Sequence, residues 1–524
     1  MQVLKTVAVL VGLMSLMGCV RDQPEIIIVT ATNISEPQTV FVPTTQAVLT
    51  QSSPDIVVIP TLNPTSAVAP VSLPESHIVR AGDTLFLIAQ QYGVSLGALV
   101  QENNLANPDL LEVGQVLSLP SSPSIVTPSF EILPDSRLVR APKSIEFDIA
   151  GFIAQQNGFI RDASDVVTTR ISNGAGFDES LSAAQVVESV SLEYSVDPRL
   201  LLAVLEYRSG WLSNPNPRED LKETPVVNVA GIDRKGLYRQ LAYVANEVNR
   251  GYYAWKGRGL RQLELVDGTR LSINDALNPA TIALQYFFSL SSATTLNVWL
   301  NETSENGFYK TYLSLFGDPF IGAIEPLVPV NLVQPQFTLP FAQNELWYYT
   351  GGPHGGWGSG SAWASLDFAP PDERPVNSSF CYTSQTPVRA VAPGVIARSG
   401  DGAVVLDLDL DADESTGWTV LYLHLEANIA VGTLVMTGDP VGFASCAGGF
   451  STATHLHIGR RFNGEWLPTD CASCRAEYIT PTFEMSGWRT EGIAGQEYQG
   501  YMIRENTRQQ AEQGRQTTIN HISW

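Results

Sequence analysis

The sequence has 524 residues, more than one hydrophobic core organises, and length alone sets an expectation of roughly three or four folded units. The composition is that of globular protein, with 44% hydrophobic and 16% charged residues, and the formal net charge is -22. This balance argues against nucleic acid, whose phosphates call for clustered Lys and Arg, and against a general attraction to anionic lipid headgroups; it fits a solvated acidic surface.

Near the start, Lys5 precedes an apolar run from Val7 to Met17 broken only by Gly12 and Ser15. The run is too short for a typical membrane span and fits the core of an export signal. It ends in Leu16-Met17-Gly18-Cys19, which resembles a bacterial lipobox. The resemblance implies cleavage before Cys19 and lipidation of that cysteine. Residues 1–19 are therefore expected to be a lipoprotein signal, and the chain to be exported and anchored at a membrane of the bacterial cell envelope. An ordinary signal peptide, or an anchor helix with an incidental cysteine, is the alternative. Residues 20–75 are rich in Thr, Ser, Pro and Val, contain no Lys, and carry Pro43, Pro54, Pro60, Pro64, Pro70 and Pro74. Such spacing blocks a regular helix and discourages a central strand, so a disordered tether is expected.

Residues 76–121 read as a compact β-α-α-β unit. His77-Ile78-Val79-Arg80 forms a strand, and Asp83 or Thr84 caps a helix carrying Leu85, Ile88 and Ala89 that Gly93 ends. Ser95 can cap a second helix with Leu96, Leu99 and Val100; Asn103-Asn104-Leu105 follows, then a return strand from Val113 to Leu117. The order, with the Gly-Asp-Thr-Leu and Asn-Asn-Leu elements, closely resembles a LysM domain. This implies binding to N-acetylglucosamine-containing glycan, typically peptidoglycan; the alternative is a small domain with no ligand. A Pro/Ser-rich stretch follows, and residues 122–139 are expected to be a linker.

Residues 140–325 are expected to be mostly helical. Ser182 starts a helix through Val186, Val187 and Val190; Asp197-Pro198 starts another that Gly210 ends; helix-like stretches are expected around Leu237–Val248 and Asn278–Leu290, and the segment from Phe308 to Gly317 is expected to close the unit. The stretch from Val196 to Gly210 resembles the start of the lysozyme-like domains of lytic transglycosylases. That resemblance implies that Glu206, behind an apolar helix, is a possible glycan-cleaving general acid. The later Gly-Leu-Met-Gln-like motif of that family is absent, and Tyr207-Arg208 stands before the serine, so an exposed helix-end carboxylate in an inactive scaffold stands as the alternative.

The last third carries the densest chemistry. Of six histidines in the chain, four are His354 in a glycine-rich loop, His424 after an apolar strand, and His455 and His457 in Thr454-His455-Leu456-His457-Ile458. Residues two apart on a strand face one side, so His455 and His457 share a pocket. Asp367, in Ser365-Leu366-Asp367-Phe368-Ala369, supplies a carboxylate on a short strand. Two imidazoles and one carboxylate suit a catalytic zinc ion, which keeps a fourth position open. Strands are expected over Val388–Ala392, Val395–Arg398, Val404–Leu410 and Trp418–Leu423, so the domain is mainly antiparallel β.

This pattern resembles the lysostaphin-like zinc endopeptidases, and among them the beta-lytic type, over residues 340–505, with 506–524 as a C-terminal tail. The resemblance implies His354, Asp367 and His457 as zinc ligands and His424 and His455 as catalytic residues. Cys381, Cys446, Cys471 and Cys474 form an even set in an exported chain, which reads as disulfides. Pairing Cys381 with Cys446 and Cys471 with Cys474 is one of three possibilities, and a zinc knuckle is the alternative for the Cys-x-x-Cys pair. Asp407, Asp409, Asp411 and Asp413 alternate, but Ala412 and Trp418 stand where an EF-hand loop needs Gly and Glu, so a solvated hairpin end is expected. The expected function is a lipid-anchored hydrolase that cuts stem or cross-bridge peptides of peptidoglycan. The competing expectations are a second, glycan-cleaving activity through Glu206, or a wall-binding scaffold or amidase activator without catalysis.

Overall fold

The computed structural model describes residues 76–524 apart from residues 81, 93, 95, 106, 109, 120–124, 228–233 and 292–294. Cys19 and the expected signal and tether lie outside the described residues, as do Gly93 and Ser95, from which a helix end and a helix start were expected. No helix among the described residues is long and apolar enough to cross a membrane.

The first unit pairs strands Ser76–Ile78 and Val116–Ser118 in antiparallel register around helices Leu85–Tyr92 and Leu96–Glu102. Thr84 caps the first helix, its hydroxyl accepting from Leu87 N–H, while Asp83 accepts from Arg80 N–H. Asn103 ties the second helix to the return strand: its Oδ1 accepts from Ser118 N–H and its Nδ2 donates to the carbonyls of Leu99 and Ser118. Burying Leu85, Ile88, Leu99 and Leu117 gives the unit its own small core.

The middle region is led by helices, including Ala183–Tyr194, Pro198–Ser209, Leu237–Tyr253, Pro279–Ser289 and Phe308–Phe316. Local signals set their ends. Ser182 and Gln185 form a reciprocal capping box, Asp197 and Asn278 cap ahead of prolines, and Gly210 closes its helix with φ +66°. A β-hairpin, Ser164–Arg170 with Gly176–Ser182, was not legible in the sequence pattern; its residues are largely exposed, so no buried face marks it.

Two boundaries differ from expectation. Residues 125–139 are not a free linker: Ile125–Val126 pairs with Arg270–Ser272, and Ile132, Leu133, Leu138 and Val139 are fully buried in the helical core. Residues 506–524 are not a tail: Thr507–Gln510 pairs with Gln496–Arg504, and His521–Ile522 pairs with Trp347–His354. The second pairing covers the start of the Trp347–His354 strand at one edge of the main sheet.

That main sheet is antiparallel and runs, in spatial order, Leu434–Val435, Gly394–Gly400, Ala403–Asp407, Trp418–Leu423, Leu456–Phe462, Ser365–Ala369, Trp347–His354 and His521–Ile522, with Glu465–Trp466 paired to Leu456–Phe462. Both faces are covered. Val404, Leu406, Val420 and Tyr422 enter one core with Trp347 and Phe368, whereas Ala403, Val405, Leu421 and Leu423 enter the core of the middle helices. This double burial is why Ala403–Asp407 and Trp418–Leu423 are buried at every position instead of alternating. Cys381 is bonded to Cys446 and Cys471 to Cys474, which resolves the pairing and sets aside a zinc knuckle.

Candidate metal centre

The site is built on three neighbouring strands. His457 stands directly opposite Asp367 across the Leu456–Phe462 and Ser365–Ala369 pair, and Leu423, the residue before His424, stands opposite His457 on its other side. Asp367 in turn faces Gly351. A Cβ at position 351 would lie 2.4 Å from an Asp367 carboxylate oxygen, so only glycine leaves that carboxylate its place. The register then shifts between Gly351 and His354, so that His354, not the residue two positions on, comes opposite Ser365. Such a bulge re-aims one side chain, here bringing the His354 imidazole to the carboxylate.

His354 Nε2 lies 2.9 Å from His457 Nδ1, and each is 3.2 Å from Asp367 Oδ1. The outer nitrogens are both committed: His354 Nδ1 donates to the Gly352 carbonyl at 2.7 Å and His457 Nε2 to the Gly356 carbonyl at 3.0 Å. A carbonyl only accepts, so the outer nitrogens hold the protons and, in the neutral rings, the inner ones present lone pairs. Asp367 Oδ1 is buried without a hydrogen-bond partner. Two lone pairs and an unsatisfied carboxylate oxygen converge, a repulsive set unless a positive charge lies between them. The donor set and its buried, mutually close atoms fit a zinc ion.

The electrostatics agree. Burial alone would lower the His354 pKa, but the Asp367 carboxylate beside it holds it above the ordinary histidine value. Burial would raise Asp367, yet His354 and His455 hold it well below the usual carboxylate range. His457 is pushed down, chiefly by burial.

Two further histidines flank the set. His424 Nδ1 donates to Ala447 O at 2.9 Å, and His455 Nδ1 donates to Ala453 O at 2.8 Å. Their rings are 4.6 Å apart, and His455 Nε2 is 3.6 Å from Asp367 Oδ1. Burial, then the neighbouring His455 and His457, hold the His424 pKa well below the ordinary value, so this ring stays neutral. His424 also sits at φ +65°, a strained conformation for a non-glycine residue, held by Ser445, whose N–H and hydroxyl both donate to its carbonyl. All five residues expected at the site thus come together.

Tyr498 was missed. Its ring stacks on His354 at 4.3 Å between centroids, and burial with the nearby Asp367 charge pushes its hydroxyl up to about 12. It arrives from the separate sheet over residues 484–510, and its own stretch, Tyr498-Gln499-Gly500-Tyr501, holds no metal-ligating residue that would mark it for the site.

Glu206 lies elsewhere, at the end of the Pro198–Ser209 helix. Its carboxylate accepts from the N–H groups of Leu212 and Ser213 at 2.8 and 3.2 Å and from the Ser213 hydroxyl at 2.5 Å, closing the turn that follows the helix. Asp407, Asp409 and Asp411 do bring carboxylate oxygens together, but Asp407 is fully buried, not solvated, and its oxygens accept from Asp409 N–H and Ala412 N–H.

Comparison with known proteins agrees in order along the chain. Residues 77–120 match the LysM domain family, residues 131–330 the LasA N-terminal domain family, and residues 378–468 the Peptidase family M23. The region expected to be lysozyme-like therefore matches a LasA N-terminal domain. Among curated proteins, Protease LasA of Pseudomonas aeruginosa is 25% identical over 313 residues, spanning 55% of this chain and 68% of LasA. Among solved structures, the deep-sea M23 metalloprotease pseudoalterin is 24% identical and aligns over 34% of this chain and 96% of its own, with a TM-score of 0.27. The catalytic domain of lysostaphin from Staphylococcus simulans is 26% identical over 23% of this chain and 86% of its own, with a TM-score of 0.17.

Proposed function

With a LysM domain, a LasA N-terminal domain and a peptidase domain of the lysostaphin-like M23 family in one chain, we propose that the protein is a zinc-dependent endopeptidase cutting the peptide part of peptidoglycan. The observation that carries this reading is the convergence of His354 Nε2, His457 Nδ1 and Asp367 Oδ1 on one point, with both imidazoles locked by backbone carbonyls.

These three residues would hold the zinc, which when bound polarises the scissile carbonyl and lowers the pKa of water. The chain's own residues do the rest. His455 and His424, each with Nδ1 fixed by a carbonyl, offer Nε2 to the reacting centre. One takes the proton of the attacking water, and that proton is then passed to the leaving amine. Once charged, the same imidazole stabilises the negative oxygen that develops on the carbonyl. The Cys381–Cys446 bond and the Ser445 contacts brace the segment on which His424 rests.

The LysM unit would hold the enzyme on glycan and raise its effective concentration at the peptide bonds beside it. The contacts of Glu206 support a turn-closing role and do not favour a second, glycan-cleaving activity. Mass spectrometry of muropeptides released by the purified chain tests the reading. New amino termini in stem or cross-bridge peptides are expected; new reducing glycan ends alone, or binding without release, would contradict it. For location, the Leu16-Met17-Gly18-Cys19 sequence supports export and lipid anchoring. A Cys19→Ser chain should leave the membrane fraction, and its retention there would remove the anchor from the proposal.

A further inference from the structure

The two imidazoles of the candidate centre are not held in the same way. His354 is fixed by the Gly352 carbonyl within its own strand, whereas His457 is fixed by the carbonyl of Gly356, in the loop over residues 355–361. That loop is gripped by the middle domain. Gly360 N–H donates to Asn246 Oδ1 at 2.9 Å, and Arg250 donates from Nη2 to the Ser359 hydroxyl at 2.8 Å and from Nη1 to the Ser359 carbonyl at 3.4 Å. Asn246 and Arg250 lie one turn apart on the Leu237–Tyr253 helix, and Glu247 accepts from both side chains at 2.9 and 3.0 Å, which presets them. The approach is close enough that a Cβ on Gly360 would lie 1.8 Å from the Asn246 carbonyl.

The other side of the loop is also set by the middle domain. Gly356 lies against the Trp466 indole, a Cβ there coming 2.4 Å from the ring. Trp466 is itself anchored twice: its backbone N–H donates to the Tyr253 hydroxyl at 3.0 Å and its Nε1 to the Tyr194 carbonyl at 3.3 Å. The Gly356 peptide is thus held between an indole braced by Tyr194 and Tyr253 and a loop clasped by Asn246 and Arg250.

We propose that the middle domain is a working part of the metal centre, its Asn246 and Arg250 positioning the Gly356 carbonyl so that His457 keeps its proton on Nε2 and presents the Nδ1 lone pair inward. The inference rests on the metal-site reading above. Asn246 and Arg250 are positioning residues: they touch neither the reacting atoms nor the ligands, and act through one backbone carbonyl. Outer contacts of this kind are worth on the order of 10–100-fold in metal affinity.

The test uses the full chain and Zn2+ affinity measured by competition with a chelator, with the absorption bands of the Co2+-loaded protein as a second readout. Asn246→Leu, which removes the acceptor, and Gly360→Ala, which pushes the loop off the helix, should each weaken Zn2+ binding by roughly 10–100-fold and alter the Co2+ bands. Asn246→Asp keeps an acceptor for Gly360 N–H and should retain most of the affinity. Should either variant not fold, Arg250→Ala removes the Ser359 contacts, together with the Glu247 pairing that presets them, and should weaken binding in the same direction. Wild-type affinity and an unchanged Co2+ spectrum in the folded variants would overturn the proposal while leaving the metal-site reading intact. Failure of the wild-type chain to bind Zn2+, or retention of binding in His354→Ala, would overturn both.

Discussion

A His457→Ala chain is expected to lose bound metal and muropeptide release together. His457 is the middle member of the set: its Nδ1 lies 2.9 Å from His354 Nε2 and 3.2 Å from Asp367 Oδ1, and its strand carries the registers that bring Asp367 and His424 to it. Removing it leaves one imidazole and one carboxylate, too few for a catalytic zinc site. Loss of an outer contact alone costs on the order of 10–100-fold, so loss of this ligand should lower activity by more than 100-fold. The Gly356 carbonyl would also lose its donor, at a cost of about 1–3 kcal/mol if it stays dry, so folding must be checked by near-UV circular dichroism alongside equilibrium metal content. Wall binding through the LysM unit should survive, since that unit has its own core. A folded, metal-free variant that still releases muropeptides would refute the assignment.

Glu414→Gln should give the largest loss of stability among substitutions away from the site. Glu414 is buried and accepts from Arg398 Nε and Nη2 at 2.9 and 3.1 Å and from Arg461 Nη2 at 2.6 Å. Burial would raise its pKa, but the two guanidinium groups outweigh that and hold it at about 2. Breaking a buried pair from one side strands the remaining charge, here Arg461, at a cost of about 3–5 kcal/mol. The pH dependence follows from the sign of the shift. The folded pKa of about 2 is below the ordinary 4.5, so the carboxylate's contribution is complete above roughly pH 4.5 and is lost as pH falls towards 2. Thermal unfolding followed from pH 7 to pH 2 should show a steep acid loss in the native chain and a shallower one in Glu414→Gln. Equal melting temperatures at pH 7 would contradict the account.

Much of the candidate site was legible because its chemistry is local. A His-x-His strand, a lone Asp on a short apolar strand and a glycine-rich loop each imply a face or a turn without knowledge of the fold. Helix ends were legible for the same reason: Ser182, Asp197 and Asn278 cap through residues two or three positions away. What was hidden depends on distant pairing. The fully buried runs Ala403–Asp407 and Trp418–Leu423 give no periodicity that says the middle helices cover their second face. Nor could Tyr498 on His354, or Asn246 on Gly360, be read from residues more than a hundred positions apart. The closing strand His521–Ile522 was too short to distinguish from a tail. Glu414 sat unnoticed beside the Asp-rich turn, because its arginines come from two other strands.

The most direct measurement is the release of new primary amines from purified peptidoglycan by the full chain, before chelation, after chelation and after Zn2+ is restored. The account predicts that amine release stops on chelation, returns with stoichiometric Zn2+, and never returns in His457→Ala. Release that chelation leaves unchanged, or reducing sugar ends appearing in place of amines, would contradict it.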